Sequence, residues 1–243
     1  MPWVAGIDGC RGGWIVSLIE YSANRLLNHQ IKLCPTFADV LGLDPAPAVI
    51  AIDIPIGLLD KPEPGGRECD RQARKSLGRR ASSIFSPPTR PMLKATHYEQ
   101  VRTQGLSIQA FNILPKIHEV DRLMTPELQK RIHEAHPELA FMSLAGAPMQ
   151  YNKKTHEGRE ERLLALQQLI RPTLLPVALS LKERGKSSTT MPQRFSRTQA
   201  APDDLLDAYV LAWTALRIVN DQASRTPADP PVDRKGLRME IRC

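Results

Sequence analysis

Aromatic residues make up only 5% of the 243-residue sequence, and cysteine is rarer still. The four cysteines, Cys10, Cys34, Cys69 and Cys243, lie far apart and form no Cys-x-x-Cys pair. That spacing argues against a zinc ribbon or a disulfide framework and points to a reducing compartment. No apolar run approaches the roughly 18 residues that cross a bilayer. Nor does a basic start followed by a long apolar stretch mark a signal peptide. The expectation is a soluble, cytoplasmic protein with no membrane partner. No repeat stands out, which argues against a solenoid. Acid is scarcer than base, 26 Asp and Glu against 33 Lys and Arg, for a formal net charge of +7. A basic excess suits a polyanion such as nucleic acid, though basic enzymes without one carry similar charge. What remains is ordinary globular composition, 42% hydrophobic and 24% charged, enough for one sizeable core.

The first elements follow from pattern. WVAGID is a strand that ends on Asp8, and WIVSLIEYS is a second strand after a glycine-rich turn. RLLNHQIKLC alternates as a third strand, so short turns make a meander. TFADVLGL has helical spacing, with Thr36 as N-cap. AVIAIDIP is a short apolar strand of the kind buried on both faces, and it ends on Asp53. Strand, strand, strand, helix, strand returns the fourth strand beside the first as a parallel neighbour.

Residues 56–130 are rich in Pro, Gly, Arg and Ser and read as an insertion within a single domain spanning 1–243. RECDRQARKSLG fits a basic helix closed by Gly78, and YEQVRTQG and PKIHEVDRLM are helical too. IHEAHPELAFMSL reads as a strand returning to the sheet, with Pro137 confining it to an edge. GREERLLALQQLI and TLLPVALSLKERG read as amphipathic helices, and SSTTMPQRFSRTQAAP as a polar loop. PDDLLDAYVLAWTALRIVND is the clearest helix in the chain. TPADPPVD reads as an extended linker and GLRMEIRC as a short final strand.

If the first and fourth strands are parallel neighbours, Asp8 and Asp53 emerge at one edge of the sheet. Asp204 and Asp207 share a helix face at i, i+3, and Asp203 and Asp207 could share it at i, i+4. Clustered carboxylates repel unless a cation sits among them. Hard oxygen ligands select Mg²⁺ or Mn²⁺, and one or two such ions would activate water against a phosphodiester. Asp8, Asp53, Asp204 and Asp207 are the candidate catalytic residues and metal ligands. Each has a structural alternative: Asp8 can shape its turn, and Asp203 and Asp204 can cap their helix. Glu119 and Asp121 form a second acidic set with Glu134, His136 and Glu138, three residues that strand alternation would put on one face. Glu138 joins the catalytic candidates. Arg11, Arg67, Arg71, Arg74 and Lys154, with Ser82 and Ser83, are candidates for substrate phosphate. Lys153, Arg159 and Arg162, in the same NKKTHEGREER run as Lys154, could also bind phosphates as charge complements to the acids, with a solvated helix entrance as the alternative.

The order of elements, with Asp8, Asp53 and the DDLLDA helix, resembles the RNase H-like fold, and the late helix is similar to that of RuvC-type resolvases. Nearly the whole chain resembles the family called domain of unknown function 429, described as predicted RNase H-fold nucleases. The motifs that carry this are GIDGCRGGW, AIDIPIGL, RECDRQAR with LGRRASSIF, IHEVD, HEAHPELAF, NKKTHEGREER and DDLLDA. The resemblance implies an α/β protein with an RNase H-like mixed five-stranded sheet flanked by helices. A largely helical basic insertion would follow the fourth strand. It also implies a metal-dependent nuclease. FSPPTR departs from the expected Phe-Pro-Ala-Pro type of stretch, and the late helix has no His. Two other classes stay open. One is a phosphotransferase of the actin and sugar-kinase superfamily, which grips ATP phosphates through an Asp-Gly turn but normally carries two such cores. The other is a non-catalytic nucleic-acid-binding protein.

Overall fold

The computed structural model describes residues 1–22, 25–167, 196 and 198–243. The helix expected at TLLPVALSLKERG and most of the loop SSTTMPQRFSRTQAAP lie outside the described residues. Strands β1 (Trp3–Cys10), β2 (Gly13–Ser22) and β3 (Arg25–Cys34) form the antiparallel meander. Helix α1 (Phe37–Leu41) follows with Thr36 as its N-cap, the Thr36 hydroxyl accepting from the Asp39 N–H. The crossover ends in β4 (Val49–Ile52), parallel to β1, and β5 (Ile132–Glu134) lies parallel to β4. The sheet order is β3-β2-β1-β4-β5, and only β2 runs against the others. This is the RNase H-like arrangement. The described residues contain one such sheet, where the actin and sugar-kinase class carries two such cores.

Between β4 and β5, residues 56–130 are largely helical. They hold α2 (Glu68–Leu77), α3 (Glu99–Arg102), α4 (Ile108–Asn112), α5 (Leu114–Leu123) and short 3₁₀ turns. Part of this segment covers one face of the sheet, where Ile7, Trp14, Val16 and Ile52 pack against Ala110, Leu114 and Ile117. Glu119 ties these layers together. Its carboxylate accepts from the Trp14 indole N–H at 3.2 Å and from the Phe37 N–H at 2.5 Å. The opposite face, with Val4, Ile15 and Ala51, is covered by α6 (Pro137–Ala145), α7 (His156–Gln167) and α8 (Pro202–Val219).

Gly6 lets α8 sit directly on β1. A Cβ at Gly6 would fall 2.0 Å from the Ala212 nitrogen and 2.1 Å from the Ala208 oxygen. The helix backbone occupies the space a side chain would need.

The expected strand IHEAHPELAFMSL is corrected. Only Ile132–Glu134 pairs with the sheet, and Pro137 opens α6 instead. Proline is tolerated in a first helical turn, where its missing N–H costs nothing. The His136 ring accepts from the Glu138 N–H as the cap. Glu134, His136 and Glu138 therefore do not alternate along one strand. The expected linker TPADPPVD is likewise tied down, because Asp233 accepts from the Leu58 N–H and pairs with Arg90. Arg90 also pairs with Asp121. The final strand is present in short form as β6 (Arg225–Thr226) with β7 (Ile241–Arg242). Among the described residues no helix is long and apolar enough to cross a membrane.

His133 on β5 is buried, and burial with the fields of Arg242 and Arg238 pushes its pKa down to about 4. The unfolded chain takes up this proton near pH 6.5, so between those values it binds more protons than the native state. Stability should fall by about 3 kcal/mol as pH drops through that window. His133→Gln should lose that component, as checked by urea unfolding at pH 7.5 and 4.5.

Candidate functional site

The sheet brings the two strand acids together. Parallel pairing of β1 with β4 ends at Ile7–Ile52, and the Asp53 N–H donates to the Ile7 carbonyl at 3.0 Å. There β4 leaves the sheet, while β1 continues with β2 as far as Cys10. Asp8 is thus one residue beyond the last β4 partner rather than at the strand end. Alternation puts Asp8 on the same face as Gly6, and Asp53 on the same face as Ala51. Both face the α8 side.

Because Gly6 seats α8 at Ala208, the preceding residue Asp207 falls beside Asp8. Asp8 is 7% exposed and Asp207 1%. Burial raises the Asp8 pKa well above the usual carboxylate range, and the Asp53 and Asp207 charges raise it further. Burial lifts Asp207 to about 6 against the pull of Lys153. The Lys153 ammonium donates to Asp207 Oδ2 at 2.6 Å. Burial opposes that ammonium, but Asp207 and Asp8 outweigh it and hold its pKa above the ordinary lysine value. The cation among the acids is one the chain supplies itself. Asp204 is half-buried, and its Oδ2 caps α8 by accepting from the Ala201 N–H at 2.8 Å. Burial raises its pKa against that bond.

A cleft of about 840 Å³ opens over this edge, with Asp8, Asp53, Asp203 and Asp204 in its wall. Arg11, Lys116, Lys154 and Arg159 line it too. Arg11 and Lys154 are exposed. Lys116 is tied down, donating to the Gly13 carbonyl at 2.5 Å and lying over the Trp14 ring.

The family model "Protein of unknown function (DUF429)" matches residues 6–232. The chain belongs to this family. No curated protein matches it in sequence. It is similar to a solved structure of T. thermophilus RuvC in complex with Holliday junction substrate, at 14% identity and a TM-score of 0.37. That match covers 91% of this chain and 96% of the other. A second Thermus thermophilus RuvC structure matches at 14% identity, with coverages of 90% and 97% and a TM-score of 0.36. The fold itself is established by the sheet order and strand directions above.

In this DUF429 member several expected site residues lie elsewhere or are already committed. Arg67 borders the cleft but is only 2% exposed, and all three guanidinium nitrogens are spent. It pairs with Asp70 at 2.7 Å and Glu134 at 2.6 Å, and donates to the Ile56 and Gly57 carbonyls. It has no donor left for phosphate. Arg71 pairs with Glu68 and Glu63, and Arg74 bonds the Gly65 carbonyl and Ser86. Ser83 donates to the Arg80 carbonyl, and Ser82 is exposed on the same 3₁₀ turn. None of Arg71, Arg74, Ser82 and Ser83 lines the cleft. Glu138 is 5% exposed, and its Oε1 accepts from Arg80 at 2.8 Å and Arg162 at 2.5 Å. Against burial, those two arginines hold its pKa low. Glu138 does not line the cleft, and these two arginines hold one of its oxygens.

The carboxylate donor set suits a hard divalent cation. Among the described residues, however, no group of three or more His, Cys, Asp or Glu side chains is arranged to hold an ion. One oxygen of Asp207 is held by Lys153 and one of Asp204 by the Ala201 N–H. The sequence offered Lys153 as a phosphate-binding candidate complementary to the acids, and its direct pairing with Asp207 is the contact that no local pattern gave.

Proposed function

We propose that this DUF429 member is a metal-dependent nuclease that hydrolyses phosphodiester bonds of nucleic acid. One observation carries the reading. Carboxylates from three separate elements converge: the charges of Asp53, after β4, and Asp207, on α8, raise the proton affinity of Asp8 on β1, beside a cleft whose lining also holds Arg11 and Lys154. Packing alone gives no reason to desolvate several like charges together. Asp8, Asp53, Asp207 and the free oxygen of Asp204 would hold Mg²⁺ or Mn²⁺. When bound, such an ion supplies an activated water and charge for the leaving oxygen. Arg11 and Lys154 meet substrate phosphates at the rim, which fixes the backbone without reading sequence. Gly9 N–H, donating to Asp8 Oδ1 at 2.8 Å, orients that carboxylate.

The Lys153–Asp207 ion pair favours one other reading, a nucleic-acid-binding protein whose acids are balanced without metal. Cleavage of a mixed-sequence oligonucleotide in Mn²⁺ separates the two. The parent should cleave, and Asp8→Asn should be about a hundredfold slower or worse. Binding of the oligonucleotide with no cleavage by the parent would replace the nuclease reading with the binding one.

A further inference from the structure

We propose that the cleft takes an unpaired nucleotide, its base laid against Phe85 and Ile113 and its phosphate met by Arg11, Lys154 and Arg159. The substrate class is then single-stranded or locally unpaired nucleic acid. The proposal rests on the reading of the cleft as a nucleic-acid site, and it needs no metal.

The cleft is not charged throughout. Ile84, Phe85 and Pro87 line it from the loop after the 3₁₀ turn Gly78–Ser83, and Ile113 lines it from the junction of α4 and α5. Phe85 and Ile113 pack against the same hydrophobic cluster, the one that joins the insertion to the sheet. Both are only half-buried, so each keeps part of its apolar surface in the cleft. An aromatic ring backed by the core, with surface left over in a polar cleft, suits a flat ligand with apolar faces and polar edges. A nucleobase is such a ligand.

The loop that carries Phe85 is held from several sides. His136 Nε2 donates to the Ser83 carbonyl at 3.3 Å, and Arg74 donates to the Ser86 hydroxyl at 3.3 Å. Beyond Pro87 and Pro88, whose rings fix the backbone, the Arg90 N–H donates to the Leu59 carbonyl at 2.9 Å. A ring mounted in this way has little freedom left to lose on stacking. The segment SSIFSPPTR is thus a platform, and His136 and Arg74 are its positioning residues.

Charge alone does not fill the cleft. Arg11, Lys154 and Arg159 offer donors to a phosphate, but Asp8, Asp53, Asp203 and Asp204 share the lining and offset them. The base therefore has to supply much of the affinity. Size and stacking then select the strand. About 840 Å³ lies within the range of roughly 300–1,000 Å³ that encloses a small ligand, which admits a nucleotide and excludes a double helix. In a duplex the faces of each base are covered by its neighbours, so only an unpaired base reaches Phe85.

The test is fluorescence anisotropy of labelled oligonucleotides with the full chain in EDTA. The ligands are a mixed-sequence single strand, its duplex, and an abasic strand with the same number of phosphates. The parent should bind the single strand about tenfold more tightly than either of the others. Phe85→Ala should lose about tenfold on the single strand and nothing on the abasic strand, while Phe85→Tyr should stay within about threefold of the parent. Equal binding of the single and abasic strands by the parent would overturn the base subsite and leave the nucleic-acid reading standing. Duplex bound as tightly as single strand would overturn the substrate class. These comparisons need no substitution, so they decide even where Phe85→Ala fails to fold. No binding of any of the three would overturn the proposal, and cleavage in Mn²⁺ then decides the nuclease reading separately.

Discussion

Arg67→Met should lower stability by about 3–5 kcal/mol, read as a shift in the urea midpoint. The loss comes from what stays behind. Glu134 and Asp70 remain buried with no cation between them, and the Ile56 and Gly57 carbonyls lose their donor. Burial already lifts Glu134 to about 7 with Arg67 in place. Arg67→Met combined with Glu134→Leu should recover a good part of the loss, because the stranded carboxylate goes as well. A phosphate-binding role predicts the reverse pattern, with stability unchanged and nucleic-acid affinity reduced. The same pair of measurements decides between them.

Gly6→Ala should cost more than about 3 kcal/mol, because the added methyl meets backbone rather than a side chain that can turn away. Its nearest contacts would be the Ala212 nitrogen at 2.0 Å and the Ala208 oxygen at 2.1 Å. Either α8 lifts from the sheet or β1 bends. In both cases Asp207 moves away from Asp8 and the melting temperature should fall. Gly42→Ala is the control. Its Cβ would find nothing nearer than 3.7 Å, and its effect should stay within about 0.5 kcal/mol.

The sheet was legible because its signals are local and repeated. β3 spans Arg25–Cys34, the stretch that alternation marks out. Asp8 and Asp53 stood out because each closes an apolar run, and the crossover order made the runs parallel neighbours. The misreadings have physical sources. IHEAHPE fits a period of two, so Pro137 looked like an edge-strand proline when it was the first residue of a helix. In RECDRQAR the arginines are chemically identical, yet Arg67 turns inward to Glu134 while Arg71 stays at the surface with Glu68 and Glu63. Glu134 is far along the chain, so no local pattern distinguishes the two. Asp204 and Asp207 look equivalent at i, i+3, but only Asp204 is placed to cap the helix. Lys153 sits in a run that reads as phosphate-binding or as a solvated helix entrance. Its partner comes from tertiary packing.

The seat of α8 on Gly6 also joins the beginning of the chain to its far end. Synthesis at about 5–20 residues per second delivers β1, β2 and β3 first and leaves their α8 face bare for roughly ten to forty seconds. During that interval Val4, Ile15 and Ala51 lack the helix that buries them. Asp8 meanwhile waits without Asp207 or Lys153 near it. A growing or truncated chain that lacks α8 therefore exposes this face, and the acids come together only once the sheet is closed over.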